Sequence, residues 1–414
     1  MTRKIDAGIL VAILIAGIFS IQTLTPSIHG QSIIVVDDDG LDQDCLDQYN
    51  GGEDPDFNTI NDAIDNAASG DTIIVCPGTY PEHVEIDLGK TDLTLLGFGC
   101  SRTIIDPPGA SNAVSIFADD TTIDSFEIRG GINGIESSSG DEIDLSMIKH
   151  NCIHDNTADG IHFDGGSDNI IRNNDIFSNG DEGIFFAVSG STSDRNWIGN
   201  NEVHDNGANG ITMQDDSSTG NEINGNEVKD NGPAHWGIDV ESDILVKNNK
   251  VISNRGGILA RGDRNTFIHN TSNENEQEGF RTLSTASLNT FTKNTAKKNE
   301  QGFSDQGSMN IFMDNVARLN TIQGFLTTGS DGDFTGNKAR KNGGNGFEAG
   351  LASSDNSFDS NRSNNNGNPG AAYGFRDDSI GGGTLGTANT YNSNKCNNNF
   401  SGGSLPSGLC TPQV

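Results

Sequence analysis

The chain has 414 residues, of which 32% are hydrophobic, with 53 glycines and a formal net charge of −33. A core is possible, but only one stretch is apolar enough to cross a bilayer, so a polytopic helical membrane protein is excluded; collagen is excluded because glycine has no three-residue period. The acidity also disfavours unaided electrostatic binding to nucleic acid or to an anionic bilayer.

The charge is uneven. Residues 1–260 hold 12 Lys+Arg against 44 Asp+Glu, whereas residues 261–414 hold 13 against 14. The second part gathers a basic cluster of Lys293, Lys297, Lys298, Arg318, Lys338, Arg340 and Lys341.

At the start of the chain, Arg3 and Lys4 precede an apolar run from Ile9 to Ile21, then Pro26 and small residues around Gly30. This pattern predicts a signal peptide over residues 1–30, with a retained single anchor as the alternative. Either places the rest of the chain outside the cytoplasm. Six cysteines suit that compartment: Cys45, Cys76, Cys100, Cys152, Cys396 and Cys410. Cys396 and Cys410 enclose a short Gly/Ser/Pro-rich loop and are expected to pair. Two of Cys45, Cys76 and Cys100 are also expected to pair, and the remaining connectivity stays open. Asn270, Asn361 and Asn399 each head an Asn-x-Ser acceptor sequence.

Asp37, Asp38 and Asp39 open an acidic cluster whose hard oxygens suit Ca²⁺, although the spacing completes no calcium loop. Phe57, Ile60, Ala63, Ile64 and Ala67 form an apolar helical stripe, and Thr59 with Asp62 resembles a capping box. Residues 31–70 therefore read as an N-terminal cap with a short helix. Strands are expected at Thr72–Cys76, Val84–Ile86, Leu93–Leu96, Thr103–Ile105 and Val114–Phe117.

From residue 148 a repeat dominates. Asn-x-[Ile/Val/Ala/Ser]-x-x-Asn occurs ten times, starting at Asn151, Asn174, Asn201, Asn226, Asn249, Asn270, Asn294, Asn315, Asn337 and Asn361. An apolar residue stands three positions before each, and Gly-[Ile/Phe] follows each. Each unit holds three short apolar pieces, too few to bury a core alone, so the units must stack. Frequent Asn and Gly oppose helix interiors. Asn at the corners is expected to tolerate left-handed backbone and to bond its counterpart one coil away, with Gly at the other corner.

The reading is all-β: a right-handed parallel β-helix over residues 71–380, closed by a C-terminal cap over 381–414. Thirteen or so coils at the strand-pairing distance of about 4.8 Å make a rod of roughly 60 Å. The core columns change near residue 260. The position before Asn turns from Ile or Val to Phe (Phe267 to Phe358), and the one after it from Ile or Val to Ser or Ala (Ser272 to Ser363). Summed volume is roughly held, as a close-packed core demands. This predicts one continuous solenoid with two sub-regions.

The segments Val36-Asp37-Asp38-Asp39-Gly40, Phe57-Asn58-Thr59-Ile60, Gly70-Asp71-Thr72-Ile73-Ile74-Val75 and Pro77-Gly78-Thr79-Tyr80 resemble the opening of pectin-lyase-like β-helix proteins. The later Asn/Gly repeats resemble that superfamily's parallel β-helix repeats of the carbohydrate-binding and sugar-hydrolase and NosD-like types. The resemblance spans nearly all of residues 33–400 and implies an extracytoplasmic protein that binds or processes polysaccharide. The motifs of polygalacturonases, mannuronan epimerases and pectate lyases are absent apart from isolated Asp-Asp pairs, so no catalytic residue carries over.

Strand alternation still predicts a face. The residue after each Gly-[Ile/Phe] points outward, giving Glu136, His162, Phe185, Thr212, Asp239, Leu259 and Arg281. Two residues on come Asp164, Gln214, Glu241 and Arg261. Asp164, Asp239, Glu241 and His162 are candidates for acid–base chemistry, and Phe185, Gln214, Arg261 and Arg281 for holding a sugar. His150, Cys152 and His154 alternate as a soft-metal set would. The functional expectation is a secreted or cell-surface protein that binds a polysaccharide or cell-envelope glycan without catalysis. The alternative is a polysaccharide lyase or glycoside hydrolase using those carboxylates. Ca²⁺ is the one cofactor considered.

Overall fold

The computed structural model describes residues 32–137, 143–187, 193–214, 218–367 and 372–412; the expected signal peptide lies outside the described residues. Three parallel sheets of 15, 14 and 15 strands wind into a β-solenoid. Each coil gives one short strand to each sheet, such as Ile170–Arg172 to sheet I, Asp175–Phe177 to sheet II and Ile184–Phe186 to sheet III. Registers hold from coil to coil: Ile171 pairs with Ile148 and with Ile198. Most inward positions are apolar and buried, forming a main core of stacked side chains, with a smaller cluster of Val35, Cys45, Leu46, Ile74 and Cys76 at the start.

Two helices sit at the start, α1 (Gln43–Tyr49) and α2 (Ile60–Asn66). The Thr59 side chain accepts from the Asp62 amide, and the Glu82 carboxylate accepts from the Ile60 and Asn61 amides at 2.7 and 3.0 Å. These bonds satisfy orphan donors of the first turn. Ile60, Ala63 and Ile64 are buried in the solenoid core. The strand ladder also runs past residue 380, through Thr390–Asn392, Lys395–Asn397, Gly402–Leu405 and Thr411–Pro412.

The coils are locked by buried asparagines. At the corner between sheets I and II, Asn249 Oδ1 accepts from the Asn226 backbone and side-chain amides at 2.9 and 3.0 Å. Its Nδ2 donates to Ile223 O at 2.8 Å and to Asn270 Oδ1 at 3.0 Å. This geometry recurs from Asn151 to Asn394, and a second ladder after sheet II runs from Asn156 to Asn399. A third, before sheet I, includes Asn265, Asn289 and Asn310.

The left-handed residues are not the ladder asparagines but the residues just before them, among them His150, Asn173, Asn200, Asn248, Lys293 and Asp314. The ladder side chain must lie inside the coil to reach both neighbours, and the preceding residue makes the turn that puts it there. The glycine of Gly-[Ile/Phe] is also not there for its φ. A Cβ on Gly160 would lie 2.6 Å from Gly183 O and 2.6 Å from Ile176 Cγ2, so glycine is needed for space. The acceptor sequences at Asn270, Asn361 and Asn399 turn out to be ladder positions that are at most 9% exposed, which leaves no room for a glycan.

Beyond residue 260 two aromatic columns fill the interior. Phe267, Phe291, Phe312, Phe334, Phe358 and Tyr391 stack at 4.4–4.8 Å in sheet I. Phe280, Phe303, Phe325, Phe347 and Phe375 stack at 4.7–4.8 Å in sheet III. Edge contacts near 6.2 Å join the columns. Facing them, sheet II presents Ser272, Ala296, Ala317, Ala339 and Ser363, all buried. Small side chains opposite large ones keep the cross-section filled.

Disulfides join Cys45–Cys76, Cys100–Cys152 and Cys396–Cys410. The bond to Cys100 removes Cys152 from the supposed soft-metal set. His150 instead faces Asp124 at 3.0 Å, and His154 stacks on Phe177 at 4.6 Å.

Two tests follow from the interior. Asn249→Ala strands several buried partners, each worth about 1–3 kcal/mol. It should lower unfolding free energy by several kcal/mol in denaturant titration, against little change for Asn248→Gly, which keeps the left-handed backbone at that exposed turn. Asp305 is buried and accepts from Thr282, Asn310 and Thr327 at 2.7, 2.9 and 3.1 Å. Burial, outweighing those bonds, raises its pKa above the ordinary 3.8. The folded state therefore holds a proton that the unfolded state releases, and stability should fall as pH rises above 3.8. Asp305→Asn should flatten that decline in thermal melts run across pH.

Candidate functional site

Register aligns the predicted column on sheet III, though Thr212, Asp239 and Leu259 in it are buried. Glu136, His162, Phe185, Thr212, Asp239, Leu259 and Arg281 pair in sequence across seven coils. Ser115 precedes Glu136, and Glu85 precedes Ser115. Polar continuity extends that way too: Asn112 donates to Glu136, and His83 Nε2 lies 2.9 Å from Ser115 Oγ.

His162 is the hub. Its Nδ1 lies 2.6 Å from Asp159 Oδ2, its Nε2 lies 3.4 Å from Asp164 Oδ1, and its ring meets the edge of Phe185 at 5.0 Å. Burial opposes the imidazolium, but hydrogen bonds and attraction from Asp159 and Asp164 outweigh it, so its pKa is raised. The neighbouring coil adds Glu182, whose amide donates to Asp159 Oδ1 at 2.8 Å. Burial, then repulsion from Asp159 and Asp181, pushes the Glu182 carboxyl up to about 7. Burial also raises Glu136, and Asp164 adds to the shift while His162 opposes it. The cluster thus pairs an imidazole whose charged form its carboxylates favour with a carboxyl that exchanges its proton near neutral pH.

Asp159 and Glu182 escaped the outward-column reading because they precede the strand. A signal was present: the residue before the repeat glycine is Asn133, Asp159, Glu182 and Asn209 in successive coils. That position lies on the turn entering sheet III, beside the outward face.

The other candidates separate from this hub. Asp239 is 2% exposed and is clamped by Arg261 through Nε at 2.7 and 2.9 Å and through Nη2 at 2.5 Å. Glu241 adds to the field that holds the Arg261 charge. Arg281 faces Glu278 at 3.6 Å, and Gln214 is exposed beyond Thr212. Arg261 and Arg281 thus already face carboxylates of the chain itself, whereas His162, Asp164 and Phe185 share one neighbourhood.

Among the described residues, two acidic groups have the spacing to share a cation: Asp37, Asp38 and Asp39, and Asp159, Asp181 and Glu182. In the first, Asp37 caps the following turn, accepting from the Asp42 amide at 3.0 Å, and Asp38 accepts from Thr79 at 3.2 Å. The second belongs to the hub.

Proton NMR of the imidazoles tests this electrostatic picture. His162 should titrate above the ordinary 6.5, and Asp159→Asn should lower its midpoint, since the strongest partner of its charged form is lost.

The right-handed β-helix region profile matches residues 102–240 and 220–332. No curated protein sequence matches the chain. Among solved structures, an alginate lyase from Paenibacillus sp. str. FPU-7 aligns with a TM-score of 0.50 and 19% identity, covering 61% of this chain and 92% of that one. The A-module of Azotobacter vinelandii mannuronan C-5 epimerase AlgE4 aligns with a TM-score of 0.52 and 15% identity, covering 86% and 91%. The AlgE6 A-module gives 0.52 and 14%, covering 83% and 94%. These likenesses establish the fold, and with the profile covering more than half its length the chain belongs to the right-handed β-helix family.

Proposed function

We propose that this protein binds an extracellular polysaccharide along the outward face of sheet III. The observation that carries the reading is the His162 hub: an aromatic ring, an imidazole and several carboxylates set on adjacent coils of one straight face. Phe185 offers a ring for the apolar face of a sugar. Glu136 and Asp164 offer acceptors for its hydroxyls, and the buried Asp159 holds His162 from behind. The row follows the solenoid axis, so a linear glycan lying along it passes Glu136, His162 and Phe185 in turn.

The carboxylates favour a neutral glycan, because a uronate there would meet like charge. An acidic glycan would need Ca²⁺ between it and Asp159, Asp181 and Glu182. The solved neighbours named for action on alginate and mannuronan support a glycan ligand. The three disulfides support a secreted or cell-surface location. Among the described residues no helix is long and apolar enough to cross a membrane.

A second reading is cleavage of that glycan, and Glu182 is what favours it. A carboxyl pushed up to about 7, on a residue that shares Asp159 with the imidazole, is suited to proton transfer near neutral pH.

A glycan array probed with the full chain, with and without Ca²⁺, tests both readings when bound glycans are then assayed for new reducing ends. Binding should weaken roughly tenfold in Phe185→Ala, the loss expected for an aromatic contact of about 1.4 kcal/mol. Any cleavage should vanish in Glu182→Gln. An array with no bound glycan would sink both readings.

A further inference from the structure

Sheet II carries a second, chemically opposite surface. Its outward positions in the later coils are Lys297, Arg318 and Arg340, paired in register across three consecutive coils. In the adjoining outward column Lys338, Arg362 and Lys395 pair across three coils, the first of which is the coil of Arg340. Lys341 stands beside Arg340 at the turn. Arg318, Arg340, Lys341, Arg362 and Lys395 are exposed.

Earlier coils of the same sheet handle cations differently. There each cation meets a carboxylate of its own or a neighbouring coil: Arg129 with Glu127, Lys229 with Glu202, Lys250 with Glu227. From Thr271 to Asn397 no outward residue of sheet II is acidic. Lys297, Arg318, Lys338, Arg340, Arg362 and Lys395 form no ion pair among the described residues. The nearest exception lies at the margin, where Glu274 pairs with Lys298 at 2.8 Å and also feels Lys297.

Like charges in register lie about 4.8 Å apart and repel one another. In a chain of net charge −33, carboxylates were available to interleave, as they do in the earlier coils. Their absence leaves a stripe of uncompensated positive charge whose repulsion a bound polyanion would relieve.

We propose that this stripe binds a linear anionic polysaccharide lying along the solenoid axis. The charge repeat of one cation per coil is close to the length of one extended sugar unit, so a glycan with one carboxylate or sulfate per sugar matches it. Guanidinium groups suit both anions, which they engage through paired donors. A single-stranded nucleic acid is a poorer fit: no aromatic side chain points outward from this part of sheet II to stack a base. The stripe lies on a different sheet from the His162 hub and stands whether or not that hub binds glycan.

Titration of the full chain with polygalacturonate tests the proposal, with a neutral β-glucan as comparison. The expected result is saturable binding that weakens steeply with salt. K297E/R318E/R340E should weaken it at least about tenfold, because three phosphate-like contacts become repulsive, while F185A leaves it unchanged. R318Q/R340Q, which removes charge without reversing it, should give a smaller loss and serves if the triple variant fails to fold. The proposal is overturned if polygalacturonate does not bind, if binding ignores both variants, or if F185A causes the same loss. It is also overturned if the chain sediments as an oligomer that the triple variant dissociates while polygalacturonate stays unbound. That outcome would assign the stripe to the acidic face of a second copy.

Discussion

The buried asparagine amide is the interaction on which everything else rests. A solenoid of three-residue strands has corners at every few residues, and each corner brings backbone amides and carbonyls into the interior, where water cannot reach them. An unmet group there costs as much as a strand pairing contributes. One asparagine side chain resolves this by accepting from the coil before and donating both to that earlier coil's strand carbonyl and to the coil after. Because each amide bonds its copy one coil away, the ladder also sets register. A slip by one residue would break every rung and turn the apolar columns outward.

That rigid frame lets side-chain chemistry vary freely along the outside. Interior columns exchange Ile and Val for stacked Phe opposite Ala and Ser without disturbing the corners, since the cross-section stays filled. The switch coincides with the change in surface charge near residue 260. The early coils carry an acidic face with cations threaded into it, and the later coils a basic stripe on sheet II. One scaffold therefore presents two surfaces of opposite sign along one axis, on different sheets.

At the His162 hub the same geometry creates the chemistry. Neighbouring coils are one strand spacing apart, so carboxylates at matching positions cannot all stay ionised at low cost. Asp159 and Asp164 favour the charged form of the imidazole, while Glu182 holds its proton to near neutrality. Asp239 shows the alternative outcome on the next stretch of the same face: a fixed guanidinium neutralises it, and the side chain becomes part of the wall.

Most of the fold was legible in the sequence because its determinants are local and repeated. The ten asparagine motifs, the apolar residue three positions earlier and the Gly-[Ile/Phe] pairs each mark a fixed place in the coil, so spacing alone yields three strands and an outward column. The Cys396–Cys410 bond was legible for the same reason, being closed by a short loop. Relations between coils were not. Which outward residues meet depends on the length of each intervening turn, so the joining of Asp159 and Glu182 to His162, the capture of Asp239 by Arg261 and the Cys100–Cys152 bond emerged only in three dimensions. The basic residues were visible as a cluster in composition, but only strand pairing arranged them into two columns on one sheet. Local pattern determined the coil; contacts across coils, set by stacking distance and turn length, decided which side chains share a charge, a proton or a ligand.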